Sequence, residues 1–189
     1  YLRRTLRGGG AVSGLDVRAA IEVIAMFSKE IEAEAIVLLN ACRARSVRLA
    51  TAESCTGGLI AGCLTEVPGS SDVVDRGFVT YSNAAKHQML GVSEALIAEH
   101  GAVSELVAVA MAEGALARSE AKIAVSVTGI AGPGGGSSEK PVGLVHMAAA
   151  MTGAETVHQR HVFTGDRTAV RAATVVAALR LLCNVVSDD

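Results

Sequence analysis

Glu53, Ser54 and Cys55 stand beside a pair of glycines in the stretch TAESCTGG, residues 51–58. A hydroxyl or thiol placed where the chain passes from strand to helix meets unpaired backbone N–H groups and the positive end of the helix dipole, and both favour negative charge. An alkoxide or a tetrahedral oxyanion is stabilised in such a place. Gly57 and Gly58 lack a Cβ, so a substrate can come close to the backbone there. The plainer alternative is that Ser54 or Thr56 caps a helix and the glycines ease packing.

A serine nucleophile needs a base. His146, His158 and His161 fall in predicted strands, and His87 and His100 on surface-like helices. Lys86 is better placed, about the third position of a predicted helix, where the dipole disfavours the ammonium and burial in a cleft would lower the pKa further. A neutral lysine can then take the proton of Ser54, as in Ser-Lys hydrolases. Tyr81, five residues earlier at a strand end, could orient the lysine or relay the proton. An exposed lysine on an amphipathic helix and a core tyrosine are the alternative.

Cys55 invites a thiolate mechanism, since a helix start also lowers a thiol pKa. Neighbouring side chains on an extended segment point to opposite faces, so only one of the two can face the site, and Ser54 is preferred. Glu53 either orients the loop or binds substrate. The loop GIAGPGGGSS, residues 129–138, resembles a dinucleotide fingerprint but leads into a strand, so a Rossmann reading fails. It could form a glycine-rich nest for a phosphate or an oxyanion, Gly132 among its members, or be a plain flexible loop. Thr128 and Gly129, nearest the sheet, are the expected oxyanion or carboxamide contacts. Arg167 and Arg171, four apart at the start of the last helix, share a face and could grip a phosphate, or pair with Asp166 at the surface.

The elements that must carry these groups follow from periodicity. Apolar residues at Ile31, Ala35, Leu38, Leu39 and Cys42 predict a helix ending near Arg43 to Arg45. Strands are expected at 47–52, 77–81, 122–128, 143–151 and 156–163. Helices are expected at 56–65, at 84–90 after an Asn83 cap, at 93–100, from Ser104 onward, and from Asp166 to about Val186. Alternation early and a hairpin late predict a mixed sheet covered by helices on both faces. Three candidate stretches, TAESCTGG, TYSNAAK and TGIAGPGGGSS, then fall at carboxyl ends of strands, where open α/β sheets bind ligands.

The 189 residues suffice for one domain with a full core. Half are hydrophobic but only 3% aromatic, with 20 glycines, so Ala, Val, Leu and Ile must build that core by close packing. Seventeen basic against nineteen acidic residues give no positive field for nucleic acid, and no partner of that kind is expected. Cys42, Cys55, Cys63 and Cys183 show no zinc-ligand or disulfide spacing, so no metal is expected, and a reducing cytoplasm suits them; acyl transfer by a serine and a lysine needs no organic cofactor. No run approaches the roughly 18 apolar residues of a membrane span. Residues 1–27 are expected to be an extension or mis-start outside the domain, which occupies 28–189. A homodimer or small homo-oligomer fits the apolar composition.

AESCTGGLIAG at 52–62, PGSSDVVDRGFVTYSNAAKHQMLGV at 68–92, HGAVSE at 100–105, SVTGIAGPGGGSSEKPVGLV at 126–145 and GDRTAVR at 165–171 together resemble the CinA C-terminal domain family, the nicotinamide-nucleotide amidases. The likeness covers about residues 28–186. It implies a three-layer α/β/α sandwich with a mixed sheet of about five strands. It further implies hydrolysis of nicotinamide mononucleotide to nicotinate mononucleotide and ammonia in pyridine nucleotide salvage, with Ser54 and Lys86 as the catalytic pair and Tyr81 matching the tyrosine of the same motif. Many relatives carry this domain behind a molybdopterin-binding-like domain linked to competence; this chain looks like the stand-alone form. Where some relatives have an acidic residue after GIAGP, Gly134 stands here. The readings that compete with a nucleotide amidase are a non-catalytic nucleotide-binding or partner-binding module and an amidase for another small carboxamide.

Overall fold

The structure, a computed structural model, describes residues 27–187, so the expected extension lies almost wholly outside the described residues. Helix α1 (Lys29–Ala44) leads to strand β1 (Leu49–Glu53), then to helix α2 (Leu59–Glu66). A short 3-10 turn (Ser70–Asp72) precedes β2 (Val74–Val79), followed by α3 (Asn83–Leu90), α4 (Glu94–His100) and α5 (Glu105–Ala117). Then come β3 (Ile123–Gly129), β4 (Leu144–Met151), β5 (Val157–Val162) and the long α6 (Arg167–Ser187).

The sheet has five strands in the order β2-β1-β3-β4-β5. β2, β1 and β3 run parallel, while β4 and β5 return antiparallel, so the sheet is mixed as expected. The carboxyl ends of β1, β2 and β3 therefore lie side by side. On one face α1, α2 and α6 close over Leu38, Leu39, Leu49, Ile60, Leu64, Val125, Met147, Leu179 and Leu182. On the other face α3, α4 and α5 pack on Ala50, Ala52 and Ala124 through Leu90, Ile97, Val107 and Met111. Each fully buried leucine contributes about 1.5–3 kcal/mol relative to exposure.

Small residues let the layers approach, which is how a core with so few aromatic rings is filled. Ala108 and Ala112 of α5 lie on Ala148 and Ala150 of β4. A Cβ on Gly114 would run into the Leu90 carbonyl, so α5 sits directly against the end of α3. A Cβ on Gly77 would come within 2.9 Å of the Ala61 Cβ, so α2 lies equally close on β2. These contacts fix the helices on either side of the β1 and β2 ends.

Where element boundaries differ from expectation, a local cause is visible. The helix expected from Thr56 starts only at Leu59, because Gly57 (φ 62°) and Gly58 (φ 98°) are left-handed and hold residues 54–58 in a turn. Ser82, not Asn83, caps α3, its hydroxyl accepting from the Ala85 N–H at 3.0 Å. β2 lies about two residues earlier than expected, paired in parallel with β1 from Val74 to Val79. Helix α6 is the one helix among the described residues long and apolar enough to cross a membrane. It buries Val170, Val175, Ala178, Leu179, Leu182 and Val186 within the domain.

Candidate active site

Strand alternation decides which side chains meet. Along β1, Thr51 and Glu53 face α2, while Ala50 and Ala52 face α3 and α5. Glu53 ends the strand, and the Ser54 N–H still bonds the Val127 carbonyl at 3.0 Å, so Ser54 is held as an extension of β1 and belongs to the α3 side. There it meets Lys86. The Lys86 Nζ lies 3.1 Å from Ser54 Oγ and 3.0 Å from the Thr80 carbonyl, and both contacts are buried.

Lys86 is only 1% exposed, on a helix otherwise covered on that face by α5. Burial lowers its pKa from the ordinary 10.5, with the Cys55 sulfur pulling weakly the other way. A neutral amine offers N–H donors and one lone pair. With the Thr80 carbonyl taking an N–H, the lone pair is available to the Ser54 proton. The two residues stand 32 apart in sequence and are joined only by the pairing of β1 with β2 and the capped start of α3.

Glu53 makes the turn that carries the nucleophile. Its two oxygens accept from Thr51 Oγ1 (3.2 Å), Thr56 Oγ1 (2.6 Å) and the N–H groups of Gly58 (3.0 Å), Ile60 (3.0 Å) and Ala61 (2.8 Å). It thus satisfies the orphan donors at the start of α2 from the strand side, a cap that reaches back across the turn. Of the two roles expected for Glu53, orienting the loop is the one its contacts serve; it is fully buried and faces away from Lys86.

Cys55 is buried too, and burial pushes its thiol up to about 11, against hydrogen bonds from its own and the Thr56 amide. A thiol held there is a poor source of thiolate at neutral pH. This agrees with the preference for Ser54.

Tyr81 does not orient Lys86. The residue is 63% exposed, and its hydroxyl accepts from Arg167 Nη2 at 3.1 Å, while the Thr80 carbonyl takes the orienting place. The reason is pleating: Thr80, one residue nearer the strand, is the residue buried beside Ser54. Arg167 also donates from Nη1 to the Gly132 carbonyl at 2.9 Å, and so ties the end of β2 to the loop after β3. Arg171 Nη2 donates to the Thr56 carbonyl at 2.7 Å, and its buried Nε has no partner among the described residues. Both arginines brace the strand-end loops, and neither pairs with Asp166, whose carboxylate caps α6 at the Ala169 N–H.

Among the expected oxyanion donors, the Gly57 N–H already bonds the Ser54 carbonyl and the Gly58 N–H bonds Glu53. The Thr128 hydroxyl donates to the Ala102 carbonyl, which fixes the loop ahead of α5 over the sheet. Gly129 is glycine because β4 comes too close for a side chain, 2.7 Å from a Cβ to the Leu144 carbonyl. Gly132 has φ 85° and a cis bond to Pro133. Among the described residues no group of three or more His, Cys, Asp and Glu gathers as a metal-ligand set.

Two grooves bear on where a ligand could sit, and neither is lined by Ser54 or Lys86. One, of about 530 Å³, lies between α1, β5 and α6 and is mainly lined by apolar side chains such as Ile31, Phe163 and Val176. Another, of about 430 Å³, adjoins the pair's surroundings, bounded by Gly132, Pro133, Val142 and Arg167. The chemistry decides between them, since only the second shares a residue with the strand-end cluster.

Residues 31–186 match the family described as the CinA C-terminal domain. The chain belongs to that family. It is 54% identical over 143 residues to the nicotinamide-nucleotide amidohydrolase PncC of Escherichia coli K12, covering 76% of this chain and 87% of that protein. A CinA-like protein of Syntrophobacter fumaroxidans is 53% identical over 147 residues, 78% of this chain but 34% of the relative, so the chain spans about a third of that longer protein. The crystal structure of the competence/damage inducible protein CihA from Agrobacterium tumefaciens superposes with a TM-score of 0.84 at 50% identity, over 87% of this chain and 99% of that one. The mixed-sheet α/β fold is therefore the fold of this family.

Thr80 is the residue that sequence reasoning passed over. The signal was available: in β2, Gly77 and Val79 pack toward α2 and Phe78 toward α3, so alternation puts Thr80 on the α3 side with Lys86.

Proposed function

We propose that this chain is an amidohydrolase that converts nicotinamide mononucleotide to nicotinate mononucleotide and ammonia, with Ser54 as nucleophile and Lys86 as base. The observation that carries the mechanism is a buried lysine amine 3.1 Å from a serine hydroxyl at the carboxyl end of a parallel strand. The substrate comes from the name and identity of the PncC relative.

Lys86 Nζ takes the Ser54 proton as Oγ bonds to the carboxamide carbon. The carbonyl oxygen becomes an oxyanion, facing the β3 end near Gly129. The C–N bond then breaks, and the Lys86 ammonium returns the proton to the departing nitrogen as ammonia. A water, deprotonated by Lys86, attacks the ester carbon, and Ser54 leaves with its proton restored. The carboxylate product remains on the nucleotide. Arg167, tied to Tyr81 after β2 and to Gly132 after β3, is the group at these strand ends that would receive a phosphate or ribose.

We place the reaction in the cytoplasm, which suits four free cysteines, and expect a homodimer or small homo-oligomer, measurable by light scattering. The reading in which the site only binds a nucleotide is separated by Lys86→Met. The amidase reading requires nucleotide binding by calorimetry to persist while turnover is lost. Unchanged function in Lys86→Met would leave the binding module as the better account.

A further inference from the structure

Beside the pair lies a polar group with nothing to do. Thr80 is fully buried, its N–H bonds the Glu53 carbonyl at 2.8 Å and its own carbonyl holds Lys86 Nζ, yet among the described residues its hydroxyl has no hydrogen-bond partner. Buried hydroxyls are paired in the great majority of cases, so an orphan at this place requires an explanation. The parallel register sets Glu53 opposite Val79, and one step on sets Ser54 beside Thr80. Thr80 is thus the lateral neighbour of the nucleophile, with its side chain on the same face of the sheet.

Lys86 has a complementary shortage. Among the described residues its two hydrogen-bond partners are Ser54 Oγ and the Thr80 carbonyl. A neutral amine gives one N–H to the carbonyl, accepts the serine proton on its lone pair and keeps a second N–H, which costs little while the nitrogen is uncharged. Once that proton has moved, the ammonium carries three N–H donors and no lone pair. One donor serves the Thr80 carbonyl and one serves Oγ or the departing nitrogen. The third is left in a buried site, where an unpaired charged donor is costly. The Thr80 hydroxyl belongs to the residue whose carbonyl already holds the amine, and strand alternation turns its side chain to the Ser54 face of the sheet.

We propose that Thr80 is a positioning residue of this reaction, whose hydroxyl accepts the third N–H of Lys86 when the amine becomes ammonium. The bond is unmade in the resting structure and is worth more once the nitrogen is charged, as the proton leaves Ser54. It therefore stabilises the transition state and the tetrahedral intermediate more than the substrate complex, and appears in kcat. No bond to Thr80 is made or broken covalently, and the proton passes from Oγ to Nζ and on to ammonia as before. The inference rests on the Ser-Lys reading given above.

The test is Thr80→Val, which keeps the shape and removes the hydroxyl, beside Thr80→Ser, which keeps the hydroxyl, and Ser54→Ala. Ammonia release from nicotinamide mononucleotide is followed against pH. The expected result for Thr80→Val is a kcat about 10- to 100-fold lower with KM unchanged. The acid limb of its kcat/KM profile moves to lower pH, because the ammonium has lost a partner. Thr80→Ser restores both. The Val variant removes an unpaired buried hydroxyl, so its thermal midpoint stays or rises, and a lower kcat is not a folding defect; Thr80→Ala is read the same way should Val not fit. A Thr80→Val enzyme with unchanged kcat and limb, while Ser54→Ala is inactive, overturns the role of Thr80 alone. Equal impairment in Val and Ser makes Thr80 a packing residue and also overturns it. Turnover retained in Ser54→Ala removes the Ser-Lys reading, and this inference with it.

Discussion

Replacing Glu53 by Gln should loosen the nucleophile turn by an amount that its contacts define. The carboxylate receives five donors, two on one oxygen from Thr51 and Ala61 and three on the other from Thr56, Gly58 and Ile60. A glutamine fills the same volume and keeps one acceptor oxygen. With that oxygen on the side of the three, its NH₂ faces the Thr51 hydroxyl, which can turn to accept, and the Ala61 N–H, which cannot. One buried N–H is then left unpaired against another donor, at about 1–3 kcal/mol, and charge-assisted bonds become neutral ones, for a total of about 3 kcal/mol. A domain of this size loses about 2–4 °C of melting temperature per kcal/mol, so the midpoint should fall by about 6–12 °C. Thermal or urea unfolding followed by circular dichroism measures it, and kcat should drop with the turn displaced. A midpoint within about 2 °C of the wild type would refute the view that Glu53 anchors this turn.

The pH dependence follows from Lys86. Burial depresses its pKa below 10.5, the neutral amine is the active form, and kcat/KM should rise with pH through that lowered value and level off before 10.5. An activity that fell over the same interval would contradict a lysine base. The same depression means the unfolded chain binds more protons between the two pKa values, so Lys86 contributes stability that increases from its folded pKa up to 10.5. Lys86→Met should flatten that increase in urea unfolding measured across the range. Cys55→Ala should keep turnover within a few-fold, and iodoacetamide should modify Cys55 slowly at pH 7, since burial holds its thiol up to about 11. Arg167→Met removes the link between Tyr81 and Gly132 and should raise KM more than it lowers kcat, as steady-state kinetics would show.

Most of the layer arrangement was legible because the apolar spacing is regular: Ile31, Ala35, Leu38, Leu39 and Cys42 were expected on one helical face and are all buried there. The Ser54–Lys86 contact was also expected, since helix and strand ends bring TAESCTGG and TYSNAAK to one edge of the sheet. What escaped depends on details no period encodes. Left-handed Gly57 and Gly58 delay α2 to Leu59, and a turn with two glycines can be entered in several ways. Tyr81, at the strand end five residues before Lys86, was expected to orient the lysine or relay its proton, yet the Thr80 carbonyl holds the amine and Tyr81 meets Arg167. Arg167 and Arg171 share a helix face and were expected either to grip a phosphate or to pair with Asp166; the structure has them reach carbonyls on separate loops, Gly132 and Thr56, and not Asp166. Side-chain length decided those partners, and length without a backbone has no direction.

The most direct test is ammonia and nicotinate mononucleotide release from nicotinamide mononucleotide by the purified protein, with Ser54→Ala alongside and a chelator present. The account predicts stoichiometric release of both products by the wild type, unaffected by the chelator, and none by a Ser54→Ala variant that still binds the nucleotide. Release that persists in Ser54→Ala, or a wild type that binds the nucleotide and leaves its carboxamide intact, would contradict it.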